Sequence, residues 1–186
     1  MYLFVRYREI FILDVNYYTL MLDRIVKRFG RYPAQLKVVR TILELGLSVK
    51  EGRIYCADIE LSSSSIARAI RVDRRAVTST IETIGGDDEL SNIFAMFVPT
   101  SCFKEVAPAL GWGVIEIVPT DPHLPGILAR VSDLIARKKI SIRQAIADDP
   151  ELTEDPRLFM ITKGPIPFEM IHEIKMVEGV KSIVIY

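Results

Sequence analysis

From Gly113 to Tyr186 the sequence switches repeatedly between two hydrophobic periods, and the order of those switches leaves few folds open. "GVIEIVP" is β-prone. Ile127, Leu128, Val131, Leu134 and Ile135 then recur at helical spacing, with Arg130, Asp133 and Arg137 on the opposite side. "ISIRQAIA" and "LFMIT" read as strands separated by the polar, turn-rich "DDPELTEDP". "PFEMIHEIKMV" reads as a helix stopped near Gly179, and "VKSIVIY" as a last strand. The order strand, helix, strand, strand, helix, strand is that of the ferredoxin-like split unit. "GVIEIV", "LFMI" and "SIVIY" are apolar in both phases, whereas a sheet with one wet face alternates. The second sheet face is therefore expected to be covered, by another subunit or by the N-terminal half.

The first half carries a different pattern. "LDRIVKRF" and "PAQLKVVRTILELG" predict one or two helices, the second with Pro33 at its first position and Gly46 at its stop. "SVKEGRIYCADIEL" predicts a hairpin turning at Glu51-Gly52. "SSSSIARAIRVDRRAVTSTIETIGG" begins with cap-forming serines and ends at Gly85-Gly86. "DELSNIFAMF" and "CFKEVAPAL" predict two further short helices. Together these give an α+β chain: a helical domain over 21–111 and a βαββαβ domain over 112–186. Residues 1–20 are interrupted by Arg6, Arg8, Glu9 and Asp14, too often for a membrane span. They are read as an extra segment outside the fold and ahead of the natural start, or alternatively as an edge strand or arm.

Charge separates the halves. The chain is neutral overall, yet residues 24–84 hold twelve Lys/Arg against six Asp/Glu, and residues 112–186 hold nine against eleven. Two separate cysteines, Cys56 and Cys102, and two scattered histidines match no metal site, which points to a cytoplasmic protein with no metal and no cofactor. No nucleophile–base pair or phosphate-cradling glycine loop is present, so no catalytic residues are assigned and an enzyme is not expected. The acids of "ADDPELTED" lack calcium-loop spacing and read as a solvated hairpin tip.

Two constellations remain. In "SIARAIRVDRRAV", Ile66, Ala67, Ile70, Val72 and Val77 have the spacing of a helix-turn-helix, where a small Ala lets two helices cross closely. The segment resembles the helix-turn-helix of many bacterial and archaeal transcription regulators, with Arg71 where a turn glycine is usual and Thr80 where an apolar residue is common. Placed in a major groove, the helix from Arg74 would present Arg74, Arg75, Thr78 and Ser79 to duplex DNA. Arg68, Lys37 and Arg40 would reach phosphates. The alternative is a solvated, charged helix.

The second constellation is "DPHLPGILARV". Glycine lets a ligand approach backbone closely, proline fixes the chain's entry, and a helix start offers unpaired N–H groups to a carboxylate. Pro125-Gly126-Ile127-Leu128 before a helix, with Ile140-Ser141-Ile142 opening the next strand, resembles the ACT domain, a family that binds amino acids and related effectors. The resemblance implies a ligand lying between two copies. Leu124, Pro125, Gly126 and Ile127 would form one wall, and Ser141, Ile142, Arg143 and Gln144 the facing one. Arg143 would meet an acidic group, and His123 or Asp121 an amine or hydroxyl. The plainer alternatives are that Asp121 caps its own turn, His123 is solvated, and Arg143 pairs with Asp148 or Asp149.

With "YPAQLKVV", "VDRRAV", "SIRQAIADDP" and "VKSIVIY", residues 32–186 resemble the archaeal predicted regulators of amino acid metabolism. The resemblance implies a homodimeric or higher-order transcription regulator whose small effector, an amino acid or related metabolite, modulates DNA binding. The competing expectation is a regulatory subunit that docks on a biosynthetic enzyme and confers feedback control. Neither involves a membrane.

Overall fold

The computed structural model describes Ile25 and residues 27–186, which divide into two units, one ending at Thr100 and one spanning Ser101–Tyr186. The expectation for residues 1–20 falls outside the described residues.

In the first unit, helical residues ending at Phe29 precede α1 (Pro33–Glu44), which starts on Pro33 and buries Val38, Val39, Ile42 and Leu43. The expected hairpin is a three-strand antiparallel meander: β1 (Ser48–Lys50), β2 (Arg53–Cys56) and β3 (Ile59–Leu61). Glu51 and Gly52 both take positive φ, the requirement of a type I′ turn, and Ala57 takes positive φ at the second turn. That second turn lacks Gly or Asn, which is why the sequence reads as a single hairpin. Then come α2 (Ser63–Ile70), α3 (Arg74–Gly85) and α4 (Asp88–Ala95). Side-chain oxygens of Ser62, Asp73 and Asp87 cap their N-termini, accepting from N–H groups of the first turn. Helix α3 packs against α1, α2, α4 and β1, so its buried Val77, Thr80, Ile81 and Ile84 form the middle of this unit.

The second unit follows the expected element order: β4 (Gly113–Pro119), α5 (Ile127–Arg137), β5 (Ile142–Ala147), β6 (Leu158–Thr162), α6 (Phe168–Lys175) and β7 (Val180–Ile185). All four strands pair antiparallel, in the spatial order β5-β6-β4-β7. Ile115, Ile117, Leu158 and Met160 point to the helices and join Ile127, Val131, Ile135, Met170 and Ile174 in one core.

Part of the outer sheet face is covered within this unit, while Val184, paired beside Glu116, stays 42% exposed. Residues 101–112, here the strap, lay Ala107 and Trp112 against Val114 and Ile161. The strap's α-helical expectation fails: after a turn, a single 3-10 turn forms over Pro108–Leu110. Pro108 has no N–H for a continuing helix. The strap is also why the units divide ahead of the 111/112 boundary read from the pattern. Gln144 Nε2 donates to Ser101 O at 2.6 Å, and Phe103 N–H donates to Gln144 Oε1 at 2.9 Å, tying the strap to β5.

Candidate functional site

In the first unit, α2 and α3 are joined by a turn in which Arg71 takes the left-handed conformation, φ 56° and ψ 52°. This is the conformation glycine supplies without strain, and here an arginine adopts it. Thr80 is fully buried, and its hydroxyl donates to Ala76 O at 2.7 Å, so the polar group is satisfied by its own helix. Asp73 accepts from Arg75 N–H and fixes the start of α3.

The far side of that helix is open. Arg74, Arg75, Thr78 and Ser79, with Asp73 and Glu82, line one surface hollow. Arg74 and Arg75 are exposed, and Thr78 and Ser79 are partly so. Two neighbouring hollows share those arginines: one runs from Arg74 to Arg53 and Ser62–Ser64, the other from Arg75 to Arg31, Tyr32 and Gln35. Arg68, Lys37 and Arg40 are exposed on α2 and α1. Thr78 Oγ1 donates to Arg74 O at 3.2 Å, leaving its oxygen free to accept.

In the second unit, the loop before α5 is held by its own groups. Asp121 Oδ1 accepts from His123 N–H at 2.9 Å, and Asp121 O accepts from Leu124 N–H. The plainer reading of Asp121, a cap on its own turn, describes this geometry. The His123 side chain is exposed. Gly126 caps α5 at φ 91°, and a Cβ there would lie 2.9 Å from Arg130 Nη1. The guanidinium folded over this glycine donates to Glu178 O at 3.0 Å and to Pro125 O at 3.4 Å, while its buried Nε finds no partner among the described residues. Leu124 and Ile127 turn inward onto Gly179, whose φ of 91° and contacts leave no room for a Cβ.

Open space lies beside this helix start. A cavity of about 170 Å³ is lined by Leu124, Gly126, Ile127 and Leu128, by Ile117 and Pro119, and by the β5–β6 hairpin at Ala147, Asp148, Arg157 and Leu158. Its walls are mostly apolar, with one acid and one base. The size is below the ~300 Å³ lower bound of sites that enclose drug-sized ligands, and so suits a small metabolite.

The facing wall expected from Ser141, Ile142, Arg143 and Gln144 is elsewhere in the chain. Ile142 pairs with Thr162 and Thr162 with Gly113, so β5 starts level with the start of β4, across β6. The loop at 121–127 follows the end of β4. The two walls thus stand at opposite ends of one sheet. Arg143 sits at a β-bulge between Ile142 and Gln144, and its guanidinium stacks 3.8 Å over Trp112, not against Asp148 or Asp149. Ser141 O accepts from Lys163 N–H.

Sequence reasoning missed Asp148 and Arg157 as pocket residues, and Glu116 as a buried acid. Glu116 lies on the outer sheet face between Lys104 Nζ at 3.3 Å, Arg157 Nη1 at 3.6 Å and the Tyr186 hydroxyl, which donates at 2.7 Å. Burial opposes its ionisation, but the Tyr186 and Lys104 hydrogen bonds and the nearby positive charges outweigh that and hold the carboxyl below its ordinary range. A single acid in "GVIEIVP" gives no hint of this; only the strand register brings its partners from residues 104, 157 and 186. The Arg157 guanidinium also pairs with Asp155, and the Arg157 backbone N–H donates to Asp148 Oδ2 at 3.1 Å.

Among the described residues no cluster of His, Cys, Asp and Glu is arranged to hold a metal, and no helix is long and apolar enough to cross a membrane. No family model and no curated protein sequence matches the chain. Among solved structures it is similar to a transcriptional regulatory protein of the AsnC family from Pyrococcus furiosus. The identity is 10% and the TM-score 0.25, over 94% of this chain and 88% of that one. A likeness of that depth carries no argument about what this chain does.

Proposed function

We propose that the chain is a ligand-responsive transcription regulator. The first unit is a helix-turn-helix domain that binds duplex DNA. The second is a ferredoxin-like, ACT-type domain that binds an amino acid or related metabolite, and the protein works in the cytoplasm as a homodimer or higher oligomer. The observation that carries the reading is α3: one side is the middle of a packed unit, while the other offers Arg74, Arg75, Thr78 and Ser79 around one open hollow. Guanidinium groups suit guanine edges and phosphates, and hydroxyls suit either. A helix held rigidly from behind presents them in fixed register.

The effector's place is the cavity beside Gly126, where Asp148 would meet an amine and Ile117, Leu124 and Leu158 an apolar side chain. A second copy remains the only way for the β5 start to approach the 121–127 loop of its neighbour, so the two-walled arrangement requires a dimer.

The test measures binding to random-sequence duplex DNA against salt, alongside thermal shifts with the twenty common amino acids. Arg74→Ala with Arg75→Ala should weaken DNA binding and lower the salt slope by about 2, since each phosphate contact contributes ~0.9. At least one amino acid should raise the melting temperature, by about 2.7 kcal/mol of stabilisation at a hundredfold excess over Kd. An unchanged slope removes the DNA reading. Co-purification with a biosynthetic enzyme and no DNA binding at any salt would favour the regulatory-subunit function instead.

A further inference from the structure

The β1–β2 hairpin precedes the helix pair in sequence, yet in space it stands beside the start of α3. Ile54 pairs with Leu61, which puts Arg53 level with Ser62, the cap of α2. No linker separates β3 from α2: Leu61 ends the one and Ser62 caps the other. Val49 and Ile54 are buried beneath the hairpin, so Arg53 is held in fixed register with the helices. One hollow results, lined by Arg53 and Glu60 from the strands, Ser63 and Ser64 from α2, and Arg74 from α3.

We infer that this hollow seats a phosphate of the DNA strand bordering the groove that α3 enters, so that the hairpin is a second DNA-contacting element. The inference rests on the DNA-binding reading proposed above and adds a backbone contact from outside the helix pair.

Charge and donor type argue for a phosphodiester. Two guanidinium groups and one carboxylate leave the hollow one positive charge in excess, which one phosphodiester neutralises. The Arg74 guanidinium and the Ser63 and Ser64 hydroxyls have no partner among the described residues, so their donors are available. Arg53 already holds an oxyanion: its Nη1 donates to Glu60 Oε2 at 2.6 Å. Those side chains are 59% and 49% exposed, and an ion pair so open to water contributes little. A phosphate therefore takes over the guanidinium at small cost.

A free phosphate ion would satisfy the same groups. Continuity selects a strand instead. Arg74 also lines the hollow along α3 with Arg75, Thr78 and Ser79, so an anion that fills both must be a polymer. At 100° per residue the three hollows follow one another round α3. The first touches Arg74, the second spans Arg74 to Ser79, and the third lies against Arg75, Ala76 and Ser79. The hairpin hollow is thus one flank of the exposed helix side, and it meets the backbone on that flank alone.

Salt titration of binding to random-sequence duplex, with phosphate-ethylation interference on a duplex selected from a random library, tests this on the full chain. Arg53→Gln should keep the parent's melting temperature, lower the salt slope by about 0.9, and lose interference on one side of the groove only. Glu60→Gln frees Arg53 and should tighten binding at least threefold at low salt; it serves if Arg53→Gln does not fold. An unchanged slope and interference pattern in Arg53→Gln, or a Glu60→Gln chain that binds as the parent does, overturns the hairpin contact. If Arg74→Ala with Arg75→Ala still lowers the slope, the DNA-binding helix stands without it. A parent that binds no duplex overturns both. Inorganic phosphate at constant ionic strength should leave the melting temperature unchanged. A phosphate-dependent rise that Arg53→Gln abolishes would assign the hollow to a small phosphorylated ligand and overturn the strand contact.

Discussion

Arg71 holds a backbone conformation that a side chain disfavours, at the turn between the two helices that matter most. A non-glycine residue there costs about 1–2 kcal/mol, partly offset because glycine loosens the unfolded chain. Arg71→Gly is expected to stabilise the chain by about 0.5–1 kcal/mol, read by thermal or denaturant unfolding. A loss of stability would mean that the arginine side chain makes a compensating contact. At this scale the sequence was legible where type and position agree. Val77 and Ile81 are buried as their spacing implies, and Pro33 starts α1. It was less legible at Gly126. The residue signals a positive φ or a close approach, but nothing in "DPHLPGILARV" says that the approaching group is Arg130, one turn further on.

At the scale of elements, α3 depends on its cap. Asp73→Ala should cost about 1 kcal/mol of stability. The same change removes an acid from the hollow shared by Arg74 and Arg75, so DNA binding should tighten at low salt even as the melting temperature falls. Stability and affinity moving the same way would show that the hollow does not face phosphate. The elements themselves were largely readable, because each long segment keeps one period: the βαββαβ order and both helices of the pair occur where the patterns placed them. The strap was not. "CFKEVAPAL" has apolar residues at helical intervals, but Pro108 interrupts the ladder and Ala107 is buried against a strand seven residues ahead in sequence. Period identifies an element; it does not tell which sheet face a short segment will cover.

At the scale of the whole molecule, the strap's attachment should respond to pH in a defined window. Glu116 is held below the ordinary glutamate value, so its share of docking is complete above about pH 4.3 and fades as pH falls through its lower docked value. Lys104 and Tyr186 are both raised: burial works against the ammonium, but Glu116 more than compensates, and the phenol donates to Glu116. Their shares are complete below about pH 10 and fade as pH rises through the higher docked values. Arg157 is the other base near Glu116, and Glu105 the other acid near Lys104 and Tyr186. Trp112, the chain's single tryptophan, should keep constant emission across the neutral range and change on acidification, and Glu116→Gln should abolish that acid limb. An acid limb unchanged in Glu116→Gln would place the titrating group elsewhere.

The affinity of the full chain for a duplex selected from a random library, measured with and without a saturating amino acid that raises its melting temperature, tests the regulator reading most directly. Coupling between the two units predicts at least a fivefold change in Kd, with the same factor appearing in the amino acid's affinity when DNA is added first. Equal affinities in the two conditions would contradict it, leaving a DNA-binding unit and a ligand-binding unit that ignore one another.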